Sequence, residues 1–190
     1  EIPLRLVGSE MCIRDSFLTG AMNCADGKTV WFEKDTLKAP FMASRASCSV
    51  PLITKIQHYM GYDLLDGGIS DPIPIEKSLA DGNTFHVIVL TRNKGYQKEP
   101  FGHTAFLKAA FRKHPAVAEA MRTRHEIYNR QLALCEKLEK AGRAVIIRPL
   151  KPLNVSRTKA EVPALLALHD EGLYEGRAAL GSIEEMLSIK

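Results

Sequence analysis

The sequence predicts an α/β protein in which helices layer onto a sheet. Three observations carry that expectation. Short β-rich runs alternate with segments of helical periodicity along most of the 190 residues. Turn signals separate them, from Asp26-Gly27 near the start to Gly142 late in the chain. Hydrophobic residues make up 45% and charged residues 25%, the proportions of a chain able to bury a core rather than remain disordered.

The chain opens with Glu1, not Met, which suggests a processed or incomplete product. The stretch Leu6 to Ser16, LVGSEMCIRDS, has no basic region, no sustained apolar core and no small-residue cleavage site. It reads as neither signal peptide nor strand and looks like the translation of a sequencing adapter. Residues 1–16 are accordingly treated as a non-native leader, and 17–190 as the part that folds.

From Phe17 onward each element has a local cause. Phe17 to Asn23 and Thr29 to Glu33 read as two strands joined through Ala25-Asp26-Gly27-Lys28, since Asp-Gly between β-rich runs is a hairpin signal. Phe41 to Ser49 is a short helix stopped before Pro51. Ile56 to Leu65 forms a second hairpin turning at Met60-Gly61. After Asp66-Gly67-Gly68 comes a helix starting near Pro72 and Pro74, capped by Ser70 or Asp71 and ended by Gly82. Phe85 to Leu90 is nearly continuous in apolar residues, the pattern of a strand covered on both faces. Together the segment Leu64 to Leu90 predicts a right-handed βαβ unit with Asp66 at the carboxyl end of its first strand, the edge where ligands of open α/β sheets collect.

Further on, Thr104 to His114 and Ala116 to Glu139 predict two helices split by Pro115, with Ile127, Leu134 and Leu138 on one face and Glu136–Lys140 as an i,i+4 pair. Gly142 closes the second, Arg143 to Arg148 is a strand, and Val162 to His169 and Leu173 to Leu187 are two helices around Gly172. Arg112, Lys113, Arg122, Arg124 and Arg130 scatter in helical angle, so they read as solvated surface and no nucleic acid is expected as a partner.

Composition excludes other classes. Net charge is +4, with no run of five like charges, so attraction to an anionic membrane surface would be peripheral and modest. Four cysteines with no C-x-x-C, and six histidines with no H-x-x-x-H pair, argue against a disulfide framework and against a metal site. This cysteine usage suits a reducing, cytoplasmic compartment. No apolar run reaches the roughly 18 residues of a membrane span.

The chemistry-bearing candidate is Asp66-Gly67-Gly68. An apolar run ends in an acid, and two glycines allow close backbone approach, so the carboxylate can be presented from an ordered support as a general base. The same three residues also make ordinary tight turns. Of the neighbouring acids, Asp63 lacks following glycines and Asp71 has a ready role as a cap. Ser44, Ser47 and Ser49 are not flanked as Gly-x-Ser-x-Gly, so none is read as a nucleophile.

Taken together, FMASRASCSVPLI (Phe41 to Ile53), LLDGGISDPIPIEKSLADG (Leu64 to Gly82) and VIVLTRNKGY (Val87 to Tyr96) resemble the patatin-like phospholipase family, above all its bacterial members. The likeness runs colinearly from about Phe17 to the C-terminus. It implies a three-layer α/β/α fold with a mixed central sheet, of which 17–190 would be the C-terminal portion of a single domain. It also implies a serine acyl-ester hydrolase with a Ser–Asp dyad, acting on lipid or other acyl esters without a cofactor. On that carry-over Asp66 is the proton acceptor, and Gly67 and Gly68 complete its motif. The family's Gly-rich oxyanion loop and Gly-x-Ser-x-Gly elbow are not in this sequence, so the expected chain is a fragment without hydrolytic activity, prone to aggregate through sheet surface left uncovered. A competing expectation is a non-catalytic α/β interaction domain in which Asp66-Gly67-Gly68 is only a turn.

Overall fold

The structure is a computed structural model that describes residues 17–33, 40–152 and 161–188. The non-native leader expected at 1–16 lies outside the described residues. The chain has the α/β character expected of it, and it divides into two compact units. One takes the described residues of Glu1–Ile73 and Glu99–Tyr128, the other those of Pro74–Lys98 and Asn129–Lys190.

The first unit is built on an antiparallel sheet of β1 (Leu18–Asn23), β2 (Thr29–Glu33), β3 (Gln57–Tyr59) and β4 (Tyr62–Asp66), in the order β2-β1-β4-β3. Both hairpins turn where the sequence places them. Gly27 has φ of +72°, and Met60 and Gly61 have φ of +50° and +82°, the left-handed pair that a two-residue hairpin turn needs. Consecutive residues in the two central strands are buried on opposite faces. Ala21 and Leu64 pack with Phe32, Ala43 and Ala46, the last two from helix α1 (Pro40–Ser47). Met22 and Leu65 pack on the other face with Cys24, Ile69, Val117 and Ala120. Val117 and Ala120 belong to α4 (Pro115–Lys140), so this sheet carries a helix on each side. Between β4 and α4 in sequence lies α3 (Thr104–Ala110), whose Leu107 is buried.

The second unit pairs β5 (His86–Val89) parallel to β6 (Ala144–Ile147), in register from His86↔Ala144 to Val89↔Ile147. It adds α2 (Ile75–Ala80), the second half of α4, and α5 (Val162–Ser188), which packs on β6 through the buried Met186. Among the described residues no helix is long and apolar enough to cross a membrane.

Several expectations change. The parallel and antiparallel pairings are divided between two sheets instead of joined in one mixed sheet. The βαβ unit over Leu64 to Leu90 does not form: β4 has β1 on one edge and β3 on the other, leaving no edge for β5. β5 is not covered on both faces, for Val87 and Val89 are 49% and 71% exposed while His86 between sheet and α2 is buried. Neither Ser70 nor Asp71 caps α2, which starts after Pro74 with no side-chain cap. Ser70 Oγ is instead 2.6 Å from Thr29 Oγ1. Residues 162–188 form one helix through Gly172, since a single glycine in a helix interior costs only about 1 kcal/mol and does not by itself end the helix. Glu136 pairs with Arg148 and not with Lys140: the Arg148 fork reaches Glu136 at 3.1 Å and Glu139 at 3.2 Å.

Candidate functional site

Strand β4 delivers Asp66 to its carboxyl end, where the backbone turns sharply into a single 3-10 turn, Gly67–Ile69. The Asp66 N–H donates to the Ser49 carbonyl at 2.9 Å, and its Cα stands opposite Ala21 in the β1–β4 register. Asp66 has extended backbone dihedrals, φ −48° and ψ 121°, and its side chain caps the turn: Oδ1 accepts from the Gly68 N–H at 2.8 Å. This is the usual trade of a capping carboxylate for an otherwise unsatisfied amide. The second carboxylate oxygen, Oδ2, has no hydrogen-bond partner among the described residues, and Asp66 is half-buried.

The two glycines have different reasons. A Cβ on Gly67 would lie 2.2 Å from the Gly20 carbonyl oxygen and 2.7 Å from its carbon, so only glycine lets the turn lie against β1. A Cβ on Gly68 would meet Asp66 Oδ1 at 3.1 Å and the Arg124 guanidinium at 3.6 Å, both side-chain ends. Gly20 is itself set by packing, because its absent Cβ would sit 2.8 Å from the Trp31 ring across the β1–β2 pair.

Arg124, read from the sequence as solvated surface, reaches from α4 to the turn and donates Nε–H to the Gly68 carbonyl at 2.6 Å. Fifty-six positions separate the partners, so no local signal could have found the contact. Its guanidinium thus fixes the Gly68–Ile69 peptide within the turn that Asp66 caps. The other cluster members part ways: Arg130 pairs with Glu76 at 3.2 Å, and Arg122 pairs with Glu119 on its own helix.

Candidate nucleophiles beside Asp66 are engaged elsewhere. Ser49 is buried and donates Oγ–H to the Arg45 carbonyl at 2.8 Å, while Ser70 is paired with Thr29. The thiols of Cys24 and Cys135 are pushed up to about 11 by burial, with Asp63 adding to the effect at Cys24 and Glu136 at Cys135, so both stay protonated and unreactive at neutral pH. Asp63, the nearest competitor as a base, is held by His58 across the β3–β4 hairpin at 2.5 Å. Among the described residues no three His, Cys, Asp or Glu side chains converge as a metal site.

The arrangement holds one carboxylate on an ordered turn, with one oxygen hydrogen-bonded to the Gly68 N–H and the other without a hydrogen-bond partner among the described residues. The structure therefore brings Asp66, Gly67 and Gly68 together as one unit and adds Arg124 to it. Comparison with protein families matches residues 114–188 to a family described as Domain of unknown function (DUF6363). That stretch takes in α4, β6 and α5, and hence Arg124, but not Asp66-Gly67-Gly68.

Proposed function

We propose that Asp66 is the proton acceptor of a patatin-like serine acyl-ester hydrolase acting on lipid esters. The single observation that supports this most is the unengaged Oδ2 on a carboxylate whose other oxygen is fixed by Gly68. In the proposed reaction a serine hydroxyl attacks the ester carbonyl and Asp66 takes its proton directly. Asp66 passes that proton to the leaving alcohol, whose departure leaves an acyl-enzyme. The regenerated carboxylate then deprotonates a water that attacks the acyl carbonyl, and its proton returns to the serine as the acid is released. A carboxylate is a weak base for an alcohol, so donors to the developing oxyanion must carry much of the work. The 190 residues contain no Gly-x-Ser-x-Gly, and on this reading they have no esterase activity by themselves. The reaction belongs to a polypeptide that joins this chain to such an elbow. A cytoplasmic protein meeting its substrate at the periphery of a membrane fits this chemistry and the free thiols of Cys24, Cys48 and Cys135.

The test is hydrolysis of a short-chain chromogenic ester by the full product of the gene, with and without Asp66→Asn. Asparagine keeps the acceptor for the Gly68 N–H and removes the base, so the turn survives while the rate falls by about 10²-fold or more. An unchanged rate would reject the assignment.

A second reading has its own support. The Gly67 contact with β1 and the Asp66 cap on the Gly68 N–H give Asp66 and Gly67 architectural roles. On it, the protein is a non-catalytic interaction domain. Absence of esterase activity in the full product, with the Asp66→Asn variant folded, would favour it.

A further inference from the structure

A second site lies on the far side of α4 from Asp66. A cavity of about 440 Å³ opens between α3 and the first turns of α4. Thr104, Lys108 and Arg112 recur every fourth residue along one wall, and Pro115, Ala118, Glu119 and Arg122 form a single helical stripe along the other. Arg122 and Arg124 are two positions apart, about 200° around the helix, which is why one faces this cavity and the other grips the Gly68 turn.

The electrostatics are lopsided. Three cations face one carboxylate. Glu119 is held by Arg122 through two hydrogen bonds, Nε to Oε2 at 2.9 Å and Nη2 to Oε1 at 2.6 Å. The hydrogen bond from Arg122, and behind it the charges of Arg122 and Lys108, keep the Glu119 carboxyl below its ordinary value and hence ionised. Lys108 and Arg112 have neither hydrogen bond nor ion pair among the described residues. Lys108 and Arg112 thus line one cavity with no ion-pair partner of their own among the described residues, the nearby Glu119 being bound to Arg122, and Pro115 and Ala118 give the cavity an apolar floor.

We propose that this cavity binds the phosphate group of a phosphorylated ligand. The surplus of two positive charges matches the roughly −1.5 to −2 carried by a phosphate monoester near neutral pH. A lysine point charge beside an arginine fork is the usual donor set for phosphate oxygens. The apolar floor accommodates the carbon skeleton of an ester, and the volume falls in the range of small-ligand sites, roughly 300–1,000 Å³. The proposal does not depend on the hydrolase reading, because none of its residues touches the Asp66 turn. A free phosphate ester and a phospholipid headgroup share this chemistry, and the test tells them apart.

The 190-residue chain is titrated calorimetrically at low salt with inorganic phosphate and with glycerol 3-phosphate, and floated with phosphatidylcholine vesicles with and without phosphatidic acid. Saturable binding to at least one phosphate probe is expected. Replacing both exposed cations, Lys108→Ala with Arg112→Ala, should weaken it by about tenfold or more, since two charge-assisted contacts are lost. The same change of charge at Lys137→Ala with Lys140→Ala, in the last turn of α4, should leave it within about twofold. Glu119→Gln removes the one carboxylate, releases Arg122 and should tighten binding. Soluble ester binding assigns the free ligand, and binding only to phosphatidic acid vesicles assigns the headgroup. Failure of every probe to bind, or equal loss in the two double variants, would overturn the site.

Discussion

Gly67→Ala isolates what the Asp-Gly-Gly turn needs for folding from what it needs for chemistry. The added methyl would sit 2.2 Å from the Gly20 oxygen and 2.7 Å from the Gly20 carbon, about an ångström inside contact distance. Both obstructing atoms are backbone, in a strand hydrogen-bonded to β2 on one side and β4 on the other. No rotamer change can relieve the clash, so β1 or the turn must move and uncover Met22, Leu65 or Ile69. Overpacking at well-packed sites costs about 1–3 kcal/mol, and a rigid obstruction places this change at about 3 kcal/mol or above. With a urea slope of roughly 1–3 kcal/mol per molar, the midpoint should fall by about 1–3 M. Gly68→Ala is the control: its methyl meets only the movable ends of Asp66 and Arg124, and should cost less than about 1 kcal/mol. Trp31, the single tryptophan, stacks over Gly20 and reports on this part of the sheet by fluorescence. Equal midpoints for Gly67→Ala and the parent chain, or a larger loss from Gly68→Ala, would refute the close-approach argument.

Three other outcomes follow from the geometry. Asp66→Ala removes the cap on the Gly68 N–H and should lower stability by about 0.5–2 kcal/mol, whereas Asp66→Asn stays near the parent; both are read from urea midpoints. His86 is buried with its Nε2 unpartnered among the described residues, and burial, aided by the charge of Arg143, lowers its pKa below 6.5. The folded state then binds fewer protons than the unfolded one in the window between the two values, so stability is full above pH 6.5 and declines as pH falls toward the folded pKa. A His86→Asn variant should show a shallower decline over that window, and parallel pH profiles would remove histidine from the account. Gly172→Ala, within the continuous α5 and with no heavy atom near the new methyl, should raise thermal stability by up to about 1 kcal/mol, and a loss would indicate that the helix breaks there after all.

Much of the local structure is legible in the residues themselves. Asp26-Gly27 and Met60-Gly61 fix two hairpins because left-handed backbone is open to few residues, and Gly82 and Gly142, with φ of +86° and +68°, end their helices for the same reason. The adjacent pairs Ala21-Met22 and Leu64-Leu65 mark strands covered on both sides, and Pro115 marks the first turn of α4. Asp66-Gly67-Gly68 stands out for its acid and paired glycines, although the sequence alone does not separate a base from a turn.

What the chain could not declare locally depends on which edges and faces are already occupied. β3 and β1 take both edges of β4, and that choice, made by residues far apart, sends β5 to β6 and dissolves the expected βαβ unit. Gly172 lowers helical propensity without ending the helix, which runs unbroken over Val162–Ser188. The basic residues near 112–130 look scattered on one helical wheel, yet folding distributes them to Gly68, to Glu76 and to a cavity shared with α3. Helical and turn propensities act within a few residues and so survive translation from sequence to structure. Pairing of strands and convergence of charges are long-range, their free energies set by partners dozens of positions away, and only the folded chain decides them.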